Sequence, residues 1–146
     1  MYKILHITPH LGGGVGKAIT TLILNDKKNS HKVLCLEKPK TKKFYNIIKS
    51  KTKITSLEKE ILKQIKRCDI IQIEYWPHPI LLKILSTINI LDKKIVFWCH
   101  FSGLGHPKFH KKLVGSGLQL ILTTDVTNDI IKKKFPVISS ASVLKK

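Results

Sequence analysis

Residues 2–19 carry the feature that most limits how this chain can fold. A short apolar strand containing Ile4 and Ile7 runs into the cluster Gly12-Gly-Gly-Val-Gly-Lys17, and the cluster opens a helix. In α/β domains this order points backbone N–H groups and the positive end of a helix dipole at a phosphate. Glycine permits the tight turn and lets the backbone approach a ligand where a Cβ would collide. We therefore expect a sheet built beside this strand and a phosphate-bearing ligand near the glycines.

Strand-like and helix-like segments alternate along the chain, which has the length of one domain. Strands are predicted over residues 3–8, 31–37, 69–76, 94–99 and 118–123, with short ones at Ile54 and over residues 136–138. Helices are predicted over residues 15–24 and 38–53, after a capping box at Thr55 and Glu58, and from Pro79, Pro107 and Asp125. The alternation predicts an α/β fold, in which residues 1–146 form a single domain. Its sheet is expected to be doubly wound, mostly parallel and Rossmann-like, with helices on both faces.

The chain is strongly basic, with 27 Lys and Arg residues against 9 Asp and Glu residues and a net charge of +18. Arg67 is the sole arginine, although arginine is the usual residue for bidentate recognition of bases and phosphates. The lysine surplus therefore indicates a general positive field or compositional drift. It favours attraction to an anionic membrane surface over a nucleic-acid-binding module, which stays an alternative.

The lysine-rich segment from Lys40 to Lys53 also contains Phe44, Tyr45 and Ile47. This composition is compatible with a basic amphipathic helix that lies on an anionic leaflet, but it favours a solvated lysine-rich face whose apolar side packs on the sheet. The chain has no apolar stretch of about 18 residues and no signal-peptide pattern at its N-terminus. We expect a cytoplasmic protein, with peripheral attachment at the inner face of the membrane as the further possibility.

The cysteines and a histidine pair are the candidate metal ligands. Cys35, Cys68 and Cys99 are scattered through apolar strand-like segments, which favours reduced core residues over a metal or redox role. His106 and His110 have the i, i+4 spacing that lets two imidazoles share an ion. No third ligand is evident beside them. We predict no metal site.

The glycine cluster departs from the P-loop, because Leu11 stands where the first glycine belongs and Ala18 replaces the hydroxyl residue. The shorter variant of partition-type ATPases, K-G-G-V-G-K-T, matches from Gly13 to Lys17 but lacks its leading lysine and its threonine. Loss of the hydroxyl that binds magnesium argues against phosphoryl transfer. A partition-type, P-loop-like nucleotide-binding protein remains an alternative.

The dinucleotide fingerprint G-x-G-x-x-G is also broken. Counted from Gly14, the third glycine position holds Ile19. Glu37 ends the second predicted strand, where an acidic residue binds the ribose of a dinucleotide. An acid at that position is common by chance, so a nicotinamide enzyme is not favoured.

Several segments, in their order and spacing, resemble the N-terminal half of retaining GT-B glycosyltransferases of family 4, also called glycosyl transferase group 1. The matching segments are Ile4-Leu-His-Ile-Thr-Pro9, the glycine loop, His31-Lys-Val33, Cys68-Asp-Ile-Ile-Gln-Ile-Glu-Tyr-Trp-Pro-His78, Lys94-Ile-Val-Phe-Trp-Cys-His100 and Leu118-Gln-Leu-Ile-Leu-Thr-Thr124. The resemblance implies an acceptor-side domain of an enzyme that transfers a sugar from a nucleotide-sugar to a glycan or lipid-linked acceptor, in surface polysaccharide or glycolipid assembly. The nucleotide-sugar is the donor substrate, and no cofactor is implied.

The same resemblance implies that the donor is held mainly by a C-terminal domain with an E-x7-E motif, which this sequence lacks. The chain is then a truncated domain that acts with that missing domain or with a separate partner chain. It is expected to be inactive by itself, so its standing as an enzyme is left open. Gly13, Gly14 and Gly16 would face the donor diphosphate, although a tight turn alone also explains these glycines.

His100 is the candidate catalytic residue. It follows a predicted central strand, at the end where open α/β sheets place their ligands, and the resembled family has a functionally important histidine there. An imidazole at this point can hydrogen-bond sugar hydroxyls or stabilise charge near the scissile bond. Glu74 and Trp76 are the candidate acceptor-binding residues, although the family usually has a histidine at the position of Glu74. Ser102 and Thr124 are expected to line the same candidate site, at the carboxyl ends of the strands.

Overall fold

A computed structural model describes residues 1–76, 78–88, 93–101, 119–126, 129, 133 and 142–143. The strands are β1 (Lys3–Thr8), β2 (Ser30–Cys35), β3 (Thr52–Ile54), β4 (Ile70–Tyr75), β5 (Lys94–Cys99), β6 (Gln119–Leu122) and β7 (Ser142–Val143). The helices with defined bounds are α1 (Gly13–Asn25), α2 (Lys43–Ile47), α3 (Glu58–Lys66) and α4 (Pro79–Ile88), and a 3-10 turn covers Lys49–Lys51.

The seven strands form one sheet in the order β3-β2-β1-β4-β5-β6-β7. Every neighbouring pair in the sheet is parallel. The chain adds strands on one side of β1 first and then crosses over to add β4 to β7 on the other side. This is a doubly wound, Rossmann-like arrangement, and it confirms the predicted fold class.

Helices pack on both faces of the sheet, as the alternation of elements predicted. On one face Ile61 and Ile65 of α3, with Leu81 of α4, pack against strand residues that include Ile7 and Ile73. The other face carries α1, whose apolar side packs on β2. Its buried residues are Leu11, Ile19, Ile23, Val33, Cys35 and Ile48. Strand residues alternate between the two faces because a strand repeats every two residues.

The predicted basic helix over residues 38–53 is wrong in its extent. Only Lys43–Ile47 is α-helical, and β3 begins at Thr52. The break follows from sheet pairing, since β3 pairs in parallel with β2 and requires an extended backbone. Ile48 lies in the core while Ile47 is half exposed, so the apolar residues of the segment do not share one free face.

The predicted capping box at Thr55 is also wrong. The helix begins at Glu58 with Leu57 as its N-cap residue, and no side chain caps it. The backbone N–H of Thr55 instead donates to Cys35 O, which continues the pairing of β3 with β2. Thr55 Oγ1 accepts from the N–H of Leu57 in a local turn before the helix.

The three cysteines are buried and unpaired, which confirms them as core residues. Among the described helices, none has the length and apolar character needed to cross a membrane. The predicted helix from Pro107, the histidine pair within it and the strand over residues 136–138 lie outside the described residues. The last strand is found at Ser142–Val143.

Candidate functional site

Within the described sheet, β1 and β4 are parallel neighbours whose next strands lie on opposite sides, since β1 leads to β2 and β4 leads to β5. In open α/β sheets the connections that leave two such strands diverge and open a crevice at their carboxyl ends, where ligands bind. The glycine loop follows β1 at this edge, Trp76 follows β4 and His100 follows β5. The fold therefore brings three of the sequence-predicted groups to one edge.

Glu74 and His100 are in direct contact. His100 Nε2 lies 2.6 Å from Glu74 Oε2, and the side chain of Glu74 is fully buried while that of His100 is 12% exposed. Glu74 Oε1 accepts a 2.7 Å hydrogen bond from Gln72 Nε2 and lies 3.3 Å from His6 Nδ1. Burial by itself raises the pKa of the Glu74 carboxyl, but the hydrogen bonds from His100 and His6 outweigh it and hold the pKa below its usual value. Glu74 is thus a buried carboxylate, with His100 as its link to the crevice.

The contact continues into the sheet through two further histidines. His6 Nε2 lies 3.0 Å from His31 Nδ1, and His31 Nε2 lies 3.1 Å from Asp26 Oδ2. The His6 and His31 rings are stacked, with their centroids 5.3 Å apart. Asp26, His31, His6, Glu74 and His100 form one hydrogen-bonded chain, which we call the buried histidine line.

The outer end of this line is a carboxylate at ordinary pH. Hydrogen bonds from the Asn29 side chain and the Lys28 backbone, with smaller help from His31, lower the pKa of Asp26 to about 2. The pKa of His31 is also lowered, first by burial and then by repulsion from His6. The line therefore joins the ionised carboxylate of Asp26 to the ionised, buried carboxylate of Glu74, and His100 extends it to the crevice.

Strand register explains why these side chains meet. In the parallel pairs, Ile4 lies beside His31 and His6 beside Gln72, and Glu74 follows two residues later on the same face. From the sequence alone, His6, His31 and Gln72 were not predicted to be functional residues. The available signal was their position, since each is a polar residue in a strand expected to be buried on both faces and continuously apolar.

The three glycines of the predicted diphosphate loop differ in their surroundings. Gly13 has a φ of +55°, which favours glycine, and a Cβ at Gly13 or Gly14 would meet no atom within 4 Å. Gly16 is buried, and a Cβ there would lie 2.9 Å from the carbonyl carbon of Leu11. Gly13 and Gly14 therefore face open space, whereas Gly16 serves the close packing of α1.

The remaining predicted residues that the structure describes differ in their exposure and ring contacts at the same edge. Trp76 is 46% exposed, and its ring meets that of Phe101 edge to face at 5.5 Å. The ring of His100 stacks on that of Trp98 at 5.0 Å. Thr124 is exposed after β6, and Ser102 lies outside the described residues.

Glu37 lies next to the start of the glycine loop. Its backbone N–H donates to Pro9 O at 2.8 Å, which extends the pairing of β2 with β1 past the last strand residues. Its carboxylate Oε1 lies 2.8 Å from His78 Nε2, and this hydrogen bond holds the pKa of Glu37 below its usual value. The acid that follows β2 is therefore present, but it is engaged by the residue that precedes α4.

No family model matches this chain, and no curated protein matches it. Among solved structures, the chain is similar to apo histidine-tagged saccharopine dehydrogenase (L-Glu forming) from Saccharomyces cerevisiae, with a TM-score of 0.52 and 12% sequence identity. The match covers 84% of this chain and 27% of that one. At this identity the similarity shows the Rossmann-like fold alone.

Proposed function

We propose that this chain is the acceptor-side domain of a retaining glycosyltransferase, which transfers a sugar from a nucleotide-sugar to a glycan or lipid-linked acceptor. The observation that carries the proposal is the 2.6 Å contact between Glu74 and His100 at the carboxyl edge of the sheet. A carboxylate that accepts from one ring nitrogen fixes the tautomer and orientation of a histidine. The other ring nitrogen then serves a substrate hydroxyl.

In this proposal His100 contacts the transferred sugar or the acceptor hydroxyl, and Glu74 positions it from inside the sheet. The sequence predicts Glu74 as an acceptor-binding residue. Because its side chain is fully buried, we propose that it positions His100 instead. Trp76, half exposed beside the same edge, offers an aromatic face for a sugar ring. Gly13 and Gly14 offer backbone N–H groups of the first helical turn to the donor diphosphate.

Turnover is the first test. The chain is incubated with UDP- and GDP-sugars, and donor consumption is followed with and without glycan acceptors. We expect no consumption, because a donor-binding domain supplied by a further segment or a partner chain holds most of the nucleotide-sugar. Robust turnover by this chain alone would contradict the proposal.

Binding is the second test. Amide and histidine-ring NMR spectra of the chain are recorded during titration with UDP-glucose and, separately, with methyl hexosides. UDP-glucose is expected to shift the amide signals of Gly13 and Gly14, and the hexosides the ring signals of His100. His100→Gln should weaken the hexoside response alone. Ligand-induced shifts confined to the opposite edge of the sheet would refute this site.

Dinucleotide binding is the second candidate function, and the position of Glu37 favours it. Glu37 is the second residue after β2 and lies beside the glycine loop that follows β1, which is where the acid of a Rossmann domain binds a ribose. The third glycine of the fingerprint is the buried Ile19, which opposes this reading. Titration with NADH separates the candidates. Binding that Glu37→Gln weakens tenfold or more would favour the dinucleotide, whereas no NADH binding is expected for the glycosyltransferase domain.

Nucleotide hydrolysis of the partition type is tested by calorimetry with ATP, in the presence and absence of magnesium. Lys17 is exposed on α1, and Ala18 supplies no hydroxyl for a metal ion. We expect no magnesium-dependent binding. Tight binding that requires magnesium would favour the ATPase.

We also propose a cytoplasmic location, with the basic segment from Lys40 to Lys53 as a contact with anionic lipid. The half-exposed Ile47 and the lysines around it support this contact. The shortness of α2 limits the apolar surface that the segment can insert, so the attraction is mainly electrostatic and should weaken with salt.

A further inference from the structure

The buried histidine line contains more hydrogen bonds than its neutral rings can supply. Asp26, His31, His6 and Glu74 are joined by three successive contacts of 3.1, 3.0 and 3.3 Å. Asp26 and Glu74, at the two ends of these three contacts, are carboxylates and only accept, so each contact needs a hydrogen from a ring nitrogen. Two neutral imidazoles hold two such hydrogens. Two imidazolium rings would hold four and would set N–H against N–H between His6 and His31.

Three hydrogen bonds therefore require three ring hydrogens, and the histidine pair carries one extra proton. The extra proton belongs on one of two rings. Glu74 is a fully buried carboxylate, and a buried charge is tolerated when a counter-charge lies beside it. His6 is fully buried as well and touches Glu74 directly, whereas His31 touches the partly exposed Asp26. The proximity of the two buried groups places the proton on His6.

We propose that His6 is a buried imidazolium, the counter-ion of the Glu74 carboxylate, and that it thereby keeps His100 neutral at the edge of the sheet. His6 then donates from both ring nitrogens, to Glu74 and to His31. His31 is neutral, accepts at Nδ1 and donates from Nε2 to Asp26. His6 acts through Glu74, so it is a positioning residue.

The consequence reaches the crevice through His100. Because the positive charge of His6 balances the negative charge of the Glu74 carboxylate, His100 stays neutral. It donates its Nε2 hydrogen to Glu74 and retains a lone pair on Nδ1. A neutral ring in this state can accept a proton from a hydroxyl, whereas an imidazolium cannot. This use in the crevice rests on the proposed function. The protonation states themselves do not.

The other charged groups near the line agree with this assignment. From β5, Cys99 lies near Glu74, and its burial raises its pKa to about 12, so it remains a neutral thiol. From the turn before β3, Lys51 adds to the repulsion that keeps His31 neutral. Asp26, at the end of α1, accepts from His31. The two buried charges, on His6 and Glu74, compensate each other, so His100 does not have to be protonated to balance the carboxylate.

The first experiment uses the unaltered chain. Nitrogen–hydrogen correlation spectra of the histidine rings at neutral pH report which nitrogens carry hydrogens. We expect both nitrogens of His6 to carry one, with a single hydrogen on His31 at Nε2 and on His100 at Nε2. A single protonated nitrogen on His6 would overturn the proposal. The measurement needs neither donor nor acceptor, so its outcome is independent of whether turnover is ever found.

The second experiment compares His6→Gln with His31→Gln, which each remove one ring from the line. His6→Gln keeps an amide donor for Glu74 but removes the positive charge, so His100 should take up its proton at a pH about one unit higher. In His31→Gln the introduced amide accepts from His6 and donates to Asp26, so the titration of His100 should not move. Equal shifts in the two folded variants, or none in His6→Gln, would refute the assignment. If His6→Gln does not fold, the spectrum of the unaltered chain decides.

Discussion

Glu74 and His100 belong to different strand ends and are distant in the chain, yet His100 Nε2 donates to Glu74 Oε2 at 2.6 Å. The contact joins Glu74, near the end of β4, to the residue after β5. It lies beside β1 and β4, between which the strand order of the sheet reverses. Because Glu74 is buried and bonded to His6 and Gln72 as well, it cannot rotate away to meet a ligand. The pair thus presents one histidine, held from behind, to the crevice.

Glu74→Gln should strongly destabilise the fold. The substitution removes the charge that His6 and His100 contact and replaces one of the two acceptor oxygens with an N–H₂ group that faces a buried donor, which typically lowers the free energy of unfolding by about 3–5 kcal/mol. Glu58→Gln is the matched control, because Glu58 forms a 2.9 Å ion pair with Lys83 at the surface and such pairs contribute little. Urea unfolding of both variants gives the comparison. Similar small losses in the two would show that the Glu74 network adds no stability.

The fold should lose stability on mild acidification through His31. Burial lowers the pKa of His31 in the folded state, so below about pH 6.5 the unfolded chain binds a proton that the folded chain does not. The free energy of unfolding then falls as the pH falls from about 6.5 toward the folded pKa. His31→Gln should lack this component, and the difference between the two urea-midpoint profiles isolates it. Parallel profiles over that range would exclude the role of His31.

A second loss should follow at lower pH through Glu74. Its folded pKa is depressed, so its contribution is present above the unfolded value of about 4.3 and is lost as the pH falls through the folded pKa. Asp26, with a pKa of about 2, acts in the same direction. Asp26→Asn should reduce the acid loss in part. An unfolding free energy that rises on acidification below pH 4 would contradict the assignment of both carboxylates.

The three loop glycines should respond differently to alanine. Gly13→Ala forces an alanine into φ +55° and should cost about 1–2 kcal/mol. Gly14→Ala meets open space and should be neutral or stabilising by up to about 1 kcal/mol. Gly16→Ala places a Cβ 2.9 Å from the Leu11 backbone and should be the most damaging of the three. Thermal unfolding ranks them, and a harmless Gly16→Ala would show that α1 can shift away from the loop.

The cysteines should resist alkylation in the folded chain. Burial raises the pKa of Cys35 and Cys99 to about 12, and it raises that of Cys68 as well, so few thiolates exist at mildly alkaline pH. Iodoacetamide followed by mass spectrometry should find all three unmodified, and all three modified in urea as the control. Rapid labelling of Cys35 or Cys99 in the folded chain would contradict the described packing.

The proposed membrane contact predicts a position-specific effect of added charge. Ile47→Glu places a carboxylate in the basic segment, and Leu57→Glu places one on an exposed apolar residue before α3. If the segment meets lipid, Ile47→Glu should reduce flotation with vesicles that contain phosphatidylglycerol, and Leu57→Glu should reduce it much less. Equal losses would assign the attraction to net charge alone.

Local patterns predicted β1 and β5 to the residue, and most other strands to within one or two residues. An apolar run of strand length that is flanked by glycine, proline or polar residues can be recognised as a strand from the local sequence alone. The helix predicted over residues 38–53 is wrong in its extent, because β3 begins at Thr52 and its pairing with β2 requires an extended backbone. The capping box predicted at Thr55 is wrong as well, because the N–H of Thr55 donates to Cys35 O and continues that pairing.

The sequence by itself determined the parallel, doubly wound sheet and placed His100 at its carboxyl edge. Both follow from the order of elements, because right-handed crossovers leave few arrangements for alternating strands and helices. Only the tertiary structure decided that Glu74 faces inward and meets His6, and that His31 carries the line on to Asp26. Those contacts depend on the register between β1, β2 and β4, which sets which side chains share a face and lie within hydrogen-bond distance. The local sequence of each strand does not reveal these contacts, because the buried histidine line forms only through the register between the strands.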